Sequence, residues 1–340
     1  ECHAMHPCVF ASGQHDVAVI GRGCIDGNGG VWWRLFREKQ LAAQDGPVSD
    51  IEKALAMLNQ GYDGQPGGGG GRATQFLRPP AIQFYNCRNV TIQDITVRNS
   101  PFWTIHPVYC ENLEISGVTI TNPQDAPNTD GIDIDSCTGV LVQDCVISVG
   151  DDGIALKSGS GADGLRVNRP TRDVTVRNCT VGAGHGGIVI GSETAGGIQQ
   201  VLTEECRFIG TDRGIRIKSR RGRGGKIADL VFRNIVMEDN LCPVTINMYY
   251  RCGASPDDSQ LFSLTPQPLD SGTPSIGNIQ ISGVYATGCR ASAGFIAGLP
   301  EVPVENLTIE DSVFCTNEQS GVKADESEMC LGIPDRKSVV

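Results

Sequence analysis

Apolar and polar residues alternate in short bursts along most of the chain. Examples are "NVTIQDITV" from Asn89, "NLEISGVTI" from Asn112 and "DVTVRNCTV" from Asp173, and most bursts open with Asn, Asp or Gly. Strict alternation without a helical period is typical of β-strands, and its repetition at intervals of tens of residues is typical of a solenoid. The pattern therefore predicts an all-β chain wound as a β-solenoid.

One segment, at about residues 35–78, interrupts this repeat. Its stretch "SDIEKALAML" places Ser49 and Glu52 at capping-box spacing ahead of a helical pattern, and "GQPGGGGG" follows as a flexible run. We expect a single domain over residues 1–340, with a helix-and-loop insertion at about 35–78 laid against the coil.

The composition and charge of the chain limit the kinds of partner that it can bind. The chain has 340 residues, 20% of them charged, and a net charge of −11, and it contains no apolar run long enough to span a membrane. A basic cluster between Arg213 and Lys226 interrupts this acidity, which indicates a local contact with a polyanion and not general affinity for nucleic acid. The pattern does not predict an oligomeric state.

The state of the cysteines indicates the cellular compartment in which the protein works. The chain has 14 Cys. Several lie in strand-like contexts where a buried thiol acts as a small hydrophobe, so most are expected to be free and stacked, and no Cys or His spacing indicates zinc. The first residues do not resemble a signal peptide. Cytoplasmic localisation is therefore slightly favoured, with secretion or a periplasmic location as the alternatives.

Four segments share one frame of alternating positions. They are "DGIDIDS" from Asp130, "DGIALKS" from Asp152, "GGIVIGS" from Gly186 and "RGIRIKS" from Arg213. "CPVTINM" is a looser fifth segment, and "FWTIHP" fits the turn before the first. Because side chains alternate between the faces of a strand, the apolar positions fill the core and the variable positions face outward. The core positions include Ile132, Ile154, Ile188 and Ile215.

The outward face collects groups that few structural needs explain. The bends before the strands carry the carboxyls of Asp130, Asp151 and Asp152 and the imidazole of His185. Arg216 and Lys218 point outward one turn further on. An Asp at a bend is usually a turn former, but a consecutive Asp pair in phase with these groups favours a reaction centre. The spacing of a calcium-binding loop is absent.

These motifs resemble a known family. "NTD" at 128–130, "GDD" at 150–152, "GHG" at 184–186 and "RIK" at 216–218 look like the signature of the polygalacturonases, glycoside hydrolase family 28. The resemblance implies a single-stranded right-handed parallel β-helix. It also implies inverting hydrolysis of α-1,4-galacturonosidic bonds in pectin-derived polygalacturonate or oligogalacturonides, without a cofactor or a metal. "MYYRCG" and "GFIAGLPE" are similar to bacterial members, many of which are exo-acting, so exo action is favoured over endo.

The resemblance also implies roles for individual residues. Asp151 would be the general acid, with His185 holding or tuning it, and Asp130 and Asp152 would activate water. Crowding of the carboxyls would raise one pKa and keep one proton available. The substrate-binding candidates are Arg216 and Lys218 for the substrate carboxylate, Asn128 and Asp133 for sugar hydroxyls, Tyr250, and His106 at the far end of the groove. A structural role for His106 has equal weight.

Three alternatives remain open on the sequence. Adjacent turns can bring the carboxyls closer than the roughly 6.5–9.5 Å usual for inversion, which would favour retention. A polysaccharide lyase on polyuronate shares the fold but needs a base beside C5 of the sugar and usually calcium. A non-catalytic glycan-binding β-helix would need no aligned acid–base set.

Overall fold

The computed structural model describes residues 5–42, 50–58, 78–254 and 258–329, and in this part of the chain three parallel sheets of nine strands run side by side. The strands are numbered β1 to β27 along the chain. The first sheet comprises β1 (Val9–Ser12), β4 (Ile82–Tyr85), β7 (Ile105–Val108), β10 (Ile132–Asp135), β13 (Asp152–Lys157), β16 (Gly186–Gly191), β19 (Arg213–Lys218), β22 (Cys242–Asn247) and β25 (Phe295–Ala297).

The other two sheets follow the same order. The second comprises β2 (His15–Ile20), β5 (Arg88–Gln93), β8 (Glu111–Ser116), β11 (Thr138–Gln143), β14 (Thr171–Arg177), β17 (Ile198–Glu204), β20 (Lys226–Arg233), β23 (Ser275–Ser282) and β26 (Glu305–Glu310). The third comprises β3 (Cys24–Asp26), β6 (Thr96–Arg98), β9 (Thr119–Thr121), β12 (Val146–Ser148), β15 (Thr180–Ala183), β18 (Arg207–Ile209), β21 (Val236–Glu238), β24 (Tyr285–Cys289) and β27 (Val313–Thr316). Each coil contributes one strand to each sheet, which makes the chain a right-handed parallel β-helix and confirms the predicted fold.

The core is a set of parallel stacks of apolar side chains. Ile132 pairs with Ile154, Ile154 with Ile188, and Ile188 with Ile215, and all four are fully buried. The predicted frame is therefore confirmed, and "FWTIHP" is the preceding coil, because Ile105 pairs with Ile132. Burying these chains in one continuous column is the main stabilising contribution of the fold.

A left-handed bend near the start of each second-sheet strand explains why the bursts open with Asn, Asp or Gly. Asn89, Asn112, Gly139 and Asp173 all adopt the left-handed backbone conformation, which these residue types tolerate best. The side chains also connect the coils, since Asn112 Nδ2 donates to Asn89 Oδ1 at 3.1 Å. The bend therefore selects the residue types that mark each burst.

The cysteines follow the stacked arrangement. Eleven of the Cys residues that the structure describes are free, which confirms that most are unpaired, and Cys252 is disulfide-bonded. At one bend the backbone N–H of Cys110 donates to Sγ of Cys137 at 3.2 Å. These thiols fill the corners of the helix as small apolar groups.

Three α-helices lie outside the coils in the described ranges: α1 (Gly30–Ala42), α2 (Asp50–Leu58) and α3 (Gly161–Val167). Two 3₁₀ turns also occur, at Ser259–Phe262 and Ala324–Ser327. None of the described helices has the length and apolarity to cross a membrane.

Helix α1 begins at Gly30, before residue 35, where the pattern places the approximate start of the insertion. Helix α1 lies against the coil: Trp33 Nε1 donates to the carbonyl of Ser100 at 3.0 Å, and Phe36 is buried. Helix α2 occupies the stretch with the helical pattern. Ser49 and the glycine run fall outside the described residues. The single-domain organisation stays a prediction.

Candidate active site

Three carboxyls come together where the first sheet begins. Asp130 lies two residues before β10, Asp152 is the first residue of β13, and Asp151 precedes it. Their nearest oxygens all lie within 4.8 Å of one another. The neighbouring coil approaches closely at this point, because a Cβ on Gly131 would lie 2.4 Å from the carbonyl of Gly153. The glycine of the shared frame is therefore needed to bring the two coils to this spacing.

His185 stands over the middle carboxyl. Its Nδ1 lies 3.2 Å from Asp151 Oδ1, and its backbone N–H donates to the carbonyl of Asp151 at 2.8 Å. Burial lowers the pKa of His185, but the hydrogen bond and charge of Asp151 outweigh burial and leave the pKa raised. Gly184 has φ +141° and no room for a Cβ against the Asp151 carbonyl, so the "GHG" motif is a requirement of the backbone here.

Arg216 and Lys218 hold Asp152. Lys218 Nζ lies 2.6 Å from Asp152 Oδ2, and Arg216 Nη1 lies 3.4 Å from Oδ1. Arg216 also pairs with Glu328, whose Oε1 lies 2.7 Å from Nη2. The ring of Tyr250 faces both cations, with its centroid 5.7 Å from the Arg216 guanidinium carbon and 5.2 Å from Lys218 Nζ. The predicted basic pair therefore already neutralises carboxylates of the protein itself.

Two of the acidic groups hold protons more tightly than usual. Burial raises the pKa of Asp130 well above its ordinary value, and repulsion from Asp133 and Asp151 adds to this. Burial likewise raises the pKa of Asp133 to about 8, although the charge of Lys157 opposes the shift. Lys157 Nζ lies 3.4 Å from Asp133 and 3.9 Å from Asp130. Both carboxyls therefore keep their protons to a higher pH than ordinary carboxyls do.

The other two acidic groups are ionised. Burial raises the pKa of Asp151, but the hydrogen bond and charge of His185 outweigh it and hold the pKa below its ordinary value. Burial acts on Asp152 in the same way and is outweighed by Lys218, with Arg216 adding to the effect. Crowding does keep protons in the cluster, as expected. They do not lie on Asp151, however, because the imidazole and the two cations favour its charged form.

The remaining predicted residues lie on either side of the cluster. Asn128 Nδ2 lies 3.5 Å from Asp151 Oδ2, close enough for a weak hydrogen bond. His106 lies further along the sheet, where its Nε2 is 3.9 Å from Asp135 and its ring makes an edge contact with Trp103. Within the described part of the chain, the polar and ring contacts of His106 are with Asp135, Gln83 and Trp103 and not with the three clustered carboxyls, so its part in the site stays a prediction.

Four charged residues at the site were not among the predicted site residues. Arg78 lies close enough to Asp130 and Asp151 for their charges to raise its pKa, and Lys157 pairs with Glu193 at 3.2 Å. Glu328, the residue after the 3₁₀ turn at Ala324–Ser327, reaches Arg216. Lys157 is an outward position of the shared frame, in "DGIALKS", and Glu193 directly follows "GGIVIGS", whereas no sequence signal marks Arg78 or Glu328.

The carboxyl cluster has the oxygen donors that a hard cation such as calcium prefers. However, Lys218 and Arg216 already pair with Asp152, and Lys157 lies 3.9 Å from Asp130. A divalent ion at this point would be repelled by three buried cations. The arrangement is better matched to proton transfer.

The fold and the site together define a class: a parallel β-helix with an acid–base cluster on the outer face of one sheet. Within that class, the chain belongs to glycosyl hydrolases family 28, whose sequence profile matches residues 67–266.

Individual relatives agree with this assignment. The chain is 35% identical to a "Probable polygalacturonase" of Vitis vinifera over 232 residues, which are 68% of the chain and 40% of the relative. It is 36% identical to a probable polygalacturonase of Arabidopsis thaliana over 183 residues, 52% of the chain and 37% of the relative. The chain thus spans less than half the length of each.

Among solved structures, a hyperthermoactive exopolygalacturonase from Thermotoga maritima is similar over 91% of this chain and 68% of its own, with a TM-score of 0.73 and 28% identity. Other structures that share the fold include both exo- and endo-acting enzymes.

Proposed function

We propose that the protein hydrolyses α-1,4-galacturonosidic bonds in polygalacturonate or oligogalacturonides. One observation carries the proposal: three carboxyls from adjacent coils have oxygens within 4.8 Å of one another, with His185 at 3.2 Å from the middle one. Glycoside hydrolysis needs one carboxylic acid and one carboxylate at the scissile bond, and this cluster contains both protonated and ionised groups. The family and the names of its relatives support the substrate class.

We propose that Asp151 donates the proton to the leaving oxygen. It is the most accessible of the three carboxyls, with 18% of its side chain exposed, whereas Asp152 is 1% exposed. Its pKa is low because the hydrogen bond and charge of His185 and the charges of Lys218 and Arg216 favour its charged form. A substrate carboxylate entering beside Lys218 would offset that cation and raise the pKa of Asp151. The proton held by Asp130 could then pass to Asp151.

We propose that Asp152 and Asp130 activate the water, which gives inversion. Asp152 stays ionised between Lys218 and Arg216, as a base requires. Asp130 becomes a second acceptor once its proton has moved to Asp151. The spacing of the oxygens is shorter than is usual for inversion and nearer to that of retaining enzymes, so retention is the alternative outcome of a stereochemical test.

We propose that Lys218 and Arg216 read the carboxylate of the substrate. Lys218 lies at the cluster with 6% of its side chain exposed, and a carboxylate bridging the pair would gain charge-assisted hydrogen bonds in a largely dry site. Nη2 of Arg216 donates a hydrogen bond to Oε1 of Glu328. Arg216 can therefore bind a substrate carboxylate through Nη2 only if this hydrogen bond breaks. Asn128 lies beside Asp151, Tyr250 faces Lys218, and Asp133 lies beside Lys157; these three residues are proposed to contact the sugar.

We propose further that the protein is exo-acting. The outward-facing groups Asp130, Asp152 and Lys218 are only 3%, 1% and 5% exposed, which is more typical of a closed end than of an open groove. The similarity to the Thermotoga maritima exopolygalacturonase also supports it. The likeness of "MYYRCG" and "GFIAGLPE" to bacterial members stays a prediction, since the curated relatives named above are plant proteins.

The experiment is product analysis on galacturonate oligomers of defined length. An exo-acting hydrolase releases the same small product from every oligomer, without intermediates of middle length. A ladder of all lengths would show endo action. An unsaturated product that absorbs in the ultraviolet and disappears with a chelator would identify a lyase, and binding without any product would identify a glycan-binding module.

A further inference from the structure

Arg78 is a buried cation beside the carboxyl cluster that the proposed mechanism does not use. Only 5% of it is exposed. Its Nη1 donates to the carbonyls of Pro101 at 2.9 Å and Pro127 at 2.7 Å, and its Nη2 donates to Oδ1 of Asn128 at 2.7 Å. Among the described residues, all its hydrogen-bond partners are neutral. A buried guanidinium is normally retained only with a compensating negative charge nearby.

The compensating charge comes from the acid cluster. Burial lowers the pKa of Arg78 to about 9, and the charges of Asp130 and Asp151 oppose that effect. Two aromatic rings enclose the guanidinium, with its carbon 4.5 Å from the centroid of Phe36 and 4.9 Å from that of Phe102. Since Phe36 belongs to α1, the helix outside the coils forms one wall around this cation.

The contact with Asn128 fixes which way its amide points. Because Oδ1 accepts from Arg78, Nδ2 is directed to the other side, where it lies 3.5 Å from Asp151 Oδ2. The other oxygen of Asp151, Oδ1, accepts from the backbone N–H of Asp152 at 3.0 Å and lies 3.2 Å from His185. Oδ2 is therefore the oxygen with the weaker contact and the one free to carry a proton toward a substrate.

We propose that Arg78 is a positioning residue for Asp151: it orients the amide of Asn128 toward the proton-carrying oxygen of the acid, and it brings a positive charge to the cluster from the wall formed by α1. The inference rests on the proposed function of Asp151 and deepens it. Loss of Arg78 removes the orientation of Asn128 and one cation, while the groups proposed to hold the substrate carboxylate, Lys218 and Arg216, are unchanged.

The first test compares Arg78→Met, which keeps length without charge, with Arg78→Lys, which keeps charge without the planar fork. On a galacturonate oligomer, Arg78→Met should lower kcat about 10- to 100-fold, as expected for a lost charge-assisted hydrogen bond, with KM changed less than about threefold. Arg78→Lys should fall in between. The control is Arg98→Met, which removes an exposed cation that pairs with Asp26 on the third sheet. It should leave kcat unchanged.

The same oligomer then serves for a double-mutant cycle with Asn128→Ala. If Arg78 acts through Asn128, adding Arg78→Met to Asn128→Ala should cost much less than it costs alone. Fully additive losses, or an Arg78→Met enzyme with unchanged kcat, would overturn the proposal. A drop in Tm without a drop in kcat would assign Arg78 a purely structural role and would also overturn it.

A second readout does not depend on turnover. The imidazole of His185 titrates next to Asp151, Asp152 and Asp212, which raise its pKa against burial, and Arg216 and Lys218 face the same carboxyl cluster. Removing the Arg78 cation should raise the His185 pKa further in NMR titrations of the free protein. Arg78→Lys and Arg98→Met should leave it in place. An unchanged value in Arg78→Met contradicts the electrostatic part, and this holds even if the protein releases no sugar and the proposed function fails.

Discussion

At the residue scale, Asp151 is the proposed proton donor. Asp151→Asn preserves shape and removes the proton donor, so kcat on galacturonate oligomers should fall by about 10²–10⁴-fold while oligomer binding is retained. Kinetics and calorimetric titration measure the two quantities. The matched control is Asp144→Asn, which makes the same replacement at an exposed left-handed bend position where Asn is also tolerated. Near-wild-type turnover of the Asp151→Asn enzyme would remove Asp151 from the acid role.

Asp133 should make stability depend on pH. Its pKa is about 8 in the fold and near 4 in an unfolded chain, so the folded state holds a proton that the unfolded state loses. Stability should therefore fall as pH rises from about 4 to 8. Asp133→Asn removes this pH-dependent loss of stability and should raise Tm by about 2–6 °C at pH 8 but not at pH 4. Parallel Tm–pH curves for the variant and the wild type would contradict the assignment.

The sequence predicted the site in part, and the reason lies in the residues themselves. The carboxyls and His185 lie at the bend where one repeating frame begins, and the basic pair occupies outward positions within that frame, so the frame places all of them on one face. Arg78 and Glu328 reach the cluster from segments outside that frame. Their positions depend on tertiary packing, which no local pattern records.

At the scale of the element, the frame glycines set how closely the coils pack. A Cβ on Gly187 would lie 2.3 Å from the ring of Phe208, whereas a Cβ on Gly182 would meet only the carbonyl of Ile147 at 3.9 Å. Gly187→Ala should therefore lower the free energy of unfolding by about 1–3 kcal/mol through overpacking. Gly182→Ala is the control and should change it much less. Chemical denaturation measures both, and equal effects would contradict the packing argument.

The strands show where sequence patterns succeed. Bursts that open with Asn, Asp or Gly were recognised because these residues tolerate the left-handed bend. The coil formed by β17 and β18 was not among them. Its bend residue is Gln200, at φ +58°, which does not mark a bend by type. Helix α1 was also missed, because its contacts with the coil, through Trp33 and the buried Phe36, depend on tertiary packing.

At the scale of the whole molecule, the outer face of the first sheet, which carries Lys218, should distinguish charged from neutral substrates. Lys218→Ala should cost about 2–4 kcal/mol of transition-state stabilisation on free galacturonate oligomers. Methyl esterification should lower wild-type activity and make the Lys218→Ala loss much smaller. The comparison is needed because Lys218 also holds Asp152, and a loss acting through Asp152 would be equal on both substrates. Equal losses would therefore show that Lys218 does not read the carboxylate. Arg207→Ala, an exposed cation on the third sheet, is the control.

The central claim is that this cluster hydrolyses galacturonosidic bonds with inversion. The most direct measurement is a time course of proton NMR spectra during turnover of a short galacturonate oligomer by the wild-type protein. The account predicts that the first new reducing ends are β-anomers, which convert to the equilibrium mixture only later. First-formed α-anomers would contradict inversion and indicate a covalent intermediate. Unsaturated uronate signals, or no new reducing ends at all, would contradict hydrolysis itself.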